Sequence, residues 1–127
     1  MPFDWKEFLE LAEKLATEED EASKRTAISR AYYFVFNIAF ARAELSAGPC
    51  PKRGGYHRWC WNKYKKTSDT LCQQLGNDGD RMKRRRVTAD YEAADIERLD
   101  DEVQLMLEEA RQFQADLESL DPGFPLP

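Results

Sequence analysis

Histidine is almost absent from this 127-residue chain: His57 is the only one, so proton transfer near neutral pH has a single imidazole to draw on. Cysteine is scarce too. Cys50, Cys60 and Cys72 are an odd number with no C-x-x-C pair, which argues against a disulfide framework or a zinc knuckle and for free thiols in a reducing cytosol. No strand precedes Gly54-Gly55 and no G-K-[ST] follows, which excludes a phosphate loop. The longest apolar stretch is interrupted by Arg30, Asn37 and Arg42, so no membrane span is expected. The opening MPFDWKEFLE has no basic segment followed by an apolar run, so no secretory signal is expected and the location should be cytoplasmic. No metal or cofactor is expected. Alternating β patterns, repeats and low-complexity tracts are missing as well, which leaves helices.

The chain length suits one domain with its own core, over 1–121, with 122–127 as a short, loose tail. Five helical segments are predicted. The first, about 4–17, starts at Asp4 with Glu7 three residues on and presents Phe8, Leu11, Ala12 and Leu15. The second, about 20–46, would span ~40 Å and stop at Gly48-Pro49, followed by a loop from Pro49 to Gly55. A third, about 56–75, should end at Gly76-Asn77, with Asp78-Gly79-Asp80 as a turn into a short basic helix at about 80–88. The last, about 95–120, has Ile96, Leu99, Val103, Met106, Leu107, Ala110, Phe113 and Leu117 at helical spacing. The expected fold is all-α, an up-and-down bundle of four to five helices around the long second one.

That second helix carries the most information. Apolar residues from Ala27 to Ala41 leave it no solvated face, so other helices should surround it. Thr26, Arg30, Tyr33 and Asn37 nevertheless form one polar ridge through the apolar surface. A guanidinium on a core-facing ridge needs acceptors, so the ridge marks either a site or a buried network reaching Asp90 or Glu44.

The net charge of −5 hides a segregation. Residues 51–86 hold 11 basic and 3 acidic side chains, whereas residues 87–127 hold 2 and 12. The basic middle either pairs with the acidic ends or meets a polyanion. Lys83, Arg84, Arg85 and Arg86, with Arg81 before them, are the densest cations and fit a phosphate backbone or an acidic protein surface. Trp59, Trp61 and Tyr64, interleaved with Arg58, Lys63, Lys65 and Lys66, could stack single-stranded bases, although Trp59 and Trp61, two apart, cannot both face inward.

Ser29 to Asn37, SRAYYFVFN, resembles the signature helix of HEPN domains, which reads approximately S-R-A-Y-Y-A-x-F-H in the small prokaryotic members. Gly55-Tyr56-His57 is similar to the G-x-H opening of that family's third helix, and Arg85 to Tyr91, RRVTADY, resembles its later R-x-x-A-D-Y element, with Ala89-Asp90-Tyr91 matching directly. The resemblance covers about residues 5–118. It implies a helical bundle, often dimeric, whose active members are metal-independent endoribonucleases with an arginine and, four to six residues on, a histidine. Arg30 matches the arginine; Asn37 stands where the histidine would be. An amide can position a phosphate but cannot titrate. The resemblance therefore implies an RNA-associated or partner-binding domain of a toxin–antitoxin or defence-type system with weakened catalysis. Its site residues would be Arg30, Asn37, Tyr33 and His57, and its partners a second copy, RNA, and a nucleotidyltransferase-type or other protein. An active ribonuclease using His57, or a purely structural helical subunit, are the alternatives.

Overall fold

A computed structural model of the chain describes residues 2–51 and 54–125. Five helices follow in order: α1 (Lys6–Leu15), α2 (Glu21–Ala47), α3 (Tyr56–Lys65), α4 (Thr70–Tyr91) and α5 (Leu99–Ser119). There is no strand among the described residues, and the expected helical bundle is the fold. None of these helices is long and apolar enough to cross a membrane.

α2 is the axis of the bundle. It packs against all four other helices, and Ala27, Ile28, Ala31, Tyr32, Phe34, Val35, Phe36, Ala39 and Ala43 are buried at positions spread around it. The expectation that no face would be solvated is met only in part: the side carrying Arg30, Tyr33, Asn37 and Phe40 is half-buried, and Ala41 and Leu45 are exposed, because no other helix among the described residues covers it. Its start is fixed by Asp20, whose carboxylate accepts the Ser23 N–H at 2.9 Å and is held below its usual pKa by that bond. Asp4 likewise accepts the Lys6 N–H, at 3.0 Å, and α1 follows. On α1 the buried pair is Leu9 and Ala12, while Leu11 turns outward at 40% exposure.

The largest departure from expectation lies between residues 66 and 91. α3 ends at Lys65, and Asp69 caps a new helix by accepting the Cys72 N–H at 2.8 Å. α4 then runs through Gly76, Asn77, Asp78, Gly79 and Asp80 without a break. The two glycines are contact sites rather than a helix end and a turn. A Cβ on Gly76 would lie 2.9 Å from the Trp61 carbonyl oxygen, and one on Gly79 would lie 2.4 Å from the Trp61 ring. The antiparallel α3–α4 pair can close only where α4 has no side chain, and that closeness offsets the glycines' weak helix propensity.

The two ends of α2 are tied by arginines. Arg25 donates to the carbonyls of Ala89, Glu92 and Ala94, holding the α4–α5 connection in an irregular path. α5 consequently starts at Leu99, after Arg98 at φ 55°, rather than near residue 95. Arg42 donates to the carbonyls of Leu117, Leu120, Asp121 and Phe124, and Ser46 donates to Pro125 O at 2.6 Å. The segment expected as a loose tail is therefore pinned to α2 as far as Pro125.

Gly79→Ala tests the α3–α4 contact. A methyl in the indole's place forces overpacking worth roughly 1–3 kcal/mol, against a helix-propensity gain of at most about 1 kcal/mol. Urea unfolding should show net destabilisation, and the same substitution in a Trp61→Phe background should cost less than it does in the natural chain.

Candidate functional site

The polar ridge of α2 does not form one network. Thr26 Oγ1 donates to Ala22 O at 2.7 Å and Asn37 Nδ2 donates to Tyr33 O at 2.7 Å, so both are satisfied by their own helix. Arg30 is half-buried with its guanidinium carbon 4.8 Å from the Phe8 ring centre and 4.9 Å from that of Tyr33. Neither expected acidic partner reaches the ridge. Glu44 accepts the Cys50 N–H at 3.0 Å, and Asp90 is engaged by Ser29 Oγ at 3.3 Å and by Arg86 at 3.2 Å.

The buried polar network lies one residue along, at Tyr32. The Trp61 indole N–H donates to the Tyr32 hydroxyl at 3.1 Å, and that hydroxyl lies 2.6 Å from Nδ1 of His57. The Tyr32 oxygen accepts from Trp61, and its own hydroxyl is paired with His57 Nδ1, with donor and acceptor in that second bond set by the imidazole tautomer. Burial raises the Tyr32 phenol above its ordinary pKa, which keeps the hydroxyl protonated. His57 stacks on Phe36 with ring centres 3.9 Å apart and an interplanar angle of 19°, and its ring lies 6.0 Å from Tyr33. The fold thus brings the single histidine to the same stretch of α2 that carries Arg30 and Asn37.

Arg86 completes the constellation. It is buried at 9% exposure, with its guanidinium 5.7 Å from the Tyr32 ring centre and 5.4 Å from that of Tyr33; its Nε has no hydrogen-bond partner. Tyr33 therefore carries two guanidiniums on its ring, from Arg30 and Arg86. Burial lowers the His57 pKa to about 4, with the charges of Lys83 and Arg86 adding to the effect. At pH 7 the imidazole is neutral, and its Nδ1 is engaged by the Tyr32 hydroxyl, which leaves Nε2 as the ring's remaining hydrogen-bonding position.

The basic run of α4 is divided by its neighbours. Arg81 pairs with Asp78 and Glu109, both at 3.0 Å, and Arg85 pairs with Glu109 and, at 3.5 Å, Glu102. The acidic last helix thus neutralises part of the cationic middle. Among the described residues, Lys83 and Arg84 have no carboxylate partner. Of the aromatic residues on α3, Trp61 and Tyr64 are core, and half-buried Trp59 packs on Phe40 with Lys63 over its ring. Cys50, Cys60 and Cys72 are buried free thiols, and the described residues contain no grouping of His, Cys, Asp and Glu suited to a metal.

Sequence reasoning placed Tyr32 in the core and missed its polar role; only the meeting of α2 with α3 makes its hydroxyl a relay between Trp61 and His57. Arg86 was read with Lys83, Arg84 and Arg85 as fitting a phosphate backbone or an acidic protein surface, and it is buried instead. Its i, i+4 spacing from Asp90 was the available signal for a buried pair. No protein-family model, characterised protein or solved structure matches this chain, so the reading of the site rests on its own geometry.

His57 should titrate near pH 4 by NMR. Its folded pKa lies below the ordinary value of about 6.5, so the unfolded chain takes up the proton first as pH falls. The contribution of His57 to stability is complete above about pH 6.5 and is lost as pH falls through about 4. Tyr32→Phe should destabilise the fold by roughly 1–3 kcal/mol in denaturant titration, because it leaves the buried Trp61 N–H without its acceptor.

Proposed function

We propose that this chain is a HEPN-like, RNA-associated domain of a toxin–antitoxin or defence-type system that binds RNA or a protein partner and cleaves RNA weakly or not at all. The observation that carries this reading is the state of the two candidate bases. Position 37 is an amide bonded to its own helix, and His57 has Nδ1 engaged by the Tyr32 hydroxyl and its pKa lowered. Metal-independent cleavage needs a group that accepts the 2′-hydroxyl proton, and an occupied imidazole with a pKa near 4 is a poor one at neutral pH.

The surroundings suit binding better than chemistry. Arg30 and Arg86 lie on the Tyr33 ring and the charges of Lys83 and Arg86 act on His57, a set of cations suited to phosphate oxygens, with Asp90 paired to Arg86. The HEPN resemblance favours a two-fold dimer along α2, which would place two such surfaces near each other. Half-buried Tyr33, Ile38 and Phe40 and exposed Leu45 supply apolar area for it. A nucleotidyltransferase-type or other protein partner is the further association this reading carries.

Fluorescence anisotropy with a single-stranded RNA should show affinity falling steeply with salt and depending little on sequence. Lys83→Glu should weaken it severalfold with the unfolding midpoint unchanged; equal binding by that variant would remove RNA from the reading. In metal-free buffer the natural protein should leave a mixed RNA pool intact. Asn37→His should raise cleavage, since general acid–base catalysis is worth ~10²–10⁴-fold. Robust natural cleavage that disappears in His57→Ala would make the chain an active ribonuclease instead. Light scattering should report a dimer at micromolar concentration, and a stable monomer would end the paired-surface part of the proposal.

A further inference from the structure

The cations of α4 divide between two faces of the helix. Lys83, Arg86 and Asp90, at i, i+3 and i+7, belong to the His57 side. Arg81, Arg84, Arg85 and Thr88, at i, i+3, i+4 and i+7, belong to the other. This second face lines a cavity of about 300 Å³ closed by Ile28 of α2, Ile96 of the α4–α5 connection and Glu102 of α5. The volume is at the small end of small-molecule sites. Ile28 is buried and Ile96 half-buried, so the cavity has apolar walls beneath a cationic rim.

The rim is held in place. The two carboxylate oxygens of Glu109 each take one guanidinium, Arg81 on one and Arg85 on the other, and Glu102 takes Arg85 again. Each of these arginines keeps N–H groups beyond those the carboxylates use, because a guanidinium has five. Arg84, exposed between them, pairs with no carboxylate among the described residues. Three guanidiniums thus line the cavity beside the Thr88 hydroxyl; Asp78, Glu102 and Glu109 hold Arg81 and Arg85, and Arg84 is the cation of the rim left without a carboxylate among the described residues. A helix pair joined only for stability has no need of an open apolar space beside an unpaired cation.

We propose that this cavity binds a small organic phosphate monoester, with an apolar body between Ile28 and Ile96 and its phosphate on Arg84 and the remaining donors of Arg81 and Arg85. A phosphate offers three acceptor oxygens to planar forks that meet them in pairs. The apolar walls select an ester over inorganic phosphate. The site is separate from the His57 surface and does not depend on the RNA reading.

Phenyl phosphate is the probe, titrated into the full chain and followed by methyl NMR. Saturable shifts are expected at Ile28, Ile96 and Thr88. Arg84→Gln, an exposed change that leaves the core alone, should weaken binding about tenfold or more, in line with the loss of a charge-assisted hydrogen bond. Ile96→Trp, which fills the cavity without altering charge, should abolish it while single-stranded RNA affinity stays at the natural value. The proposal is overturned if no shift saturates by roughly 10 mM, a limit corresponding to negligible affinity. It is equally overturned if Arg84→Gln binds as well as the natural chain, or if inorganic phosphate moves the same methyls as strongly.

Discussion

Everything distinctive about this molecule depends on the indole of Trp61 lying against the bare backbone of Gly79. The contact sets the distance between α3 and α4, since any side chain at position 79 would occupy the ring's place. It also sets the depth of α3 on α2, because the same indole donates its N–H to Tyr32 and packs against Phe36, Tyr64 and Phe113. One residue thus joins α2, α3, α4 and α5. A buried indole needs an acceptor, and Trp61 finds it in the Tyr32 hydroxyl, which is in turn paired with His57 Nδ1.

The arginines divide the structural labour by geometry. Arg25 and Arg42 spread their donors over backbone carbonyls at chain segments that leave helices, where such carbonyls lack partners. Arg81 and Arg85 meet carboxylates of α5 and join the last helix to the basic middle. Arg30 rests on the Phe8 and Tyr33 rings, and Arg86 rests on the Tyr32 and Tyr33 rings while pairing with Asp90. Of the cations on α4, Lys83 and Arg84 are the two left without a carboxylate partner among the described residues. Solvent-exposed pairs of this kind add little stability individually, so their main effect here is on where uncompensated charge remains.

Much of this was legible in the residues. The apolar run of α2 required burial over most of its surface, and the spacing from Val103 to Leu117 required one buried face of α5. Helical period and capping are local properties, set by a residue and its neighbours within two turns. The ridge of Thr26, Arg30, Tyr33 and Asn37 was read correctly as a shared line on one face, but its network was not, because each side chain found a nearer acceptor or an aromatic ring.

The sequence by itself determined an all-helical bundle centred on α2, a segregated charge pattern, and a chain with one imidazole and an amide at position 37. Tertiary structure decided the rest. Gly76 and Gly79 read as breakers by their propensity and became contact surfaces only because another helix came against them. Four successive cations were split, with Lys83 and Arg86 toward His57 and Arg84 and Arg85 toward α5, because a helix turns each residue about 100° from the last and its neighbours differ on each side. His57 owes its partner to Tyr32, 25 positions away. No local rule connects residues so far apart; packing alone brings them within hydrogen-bonding distance.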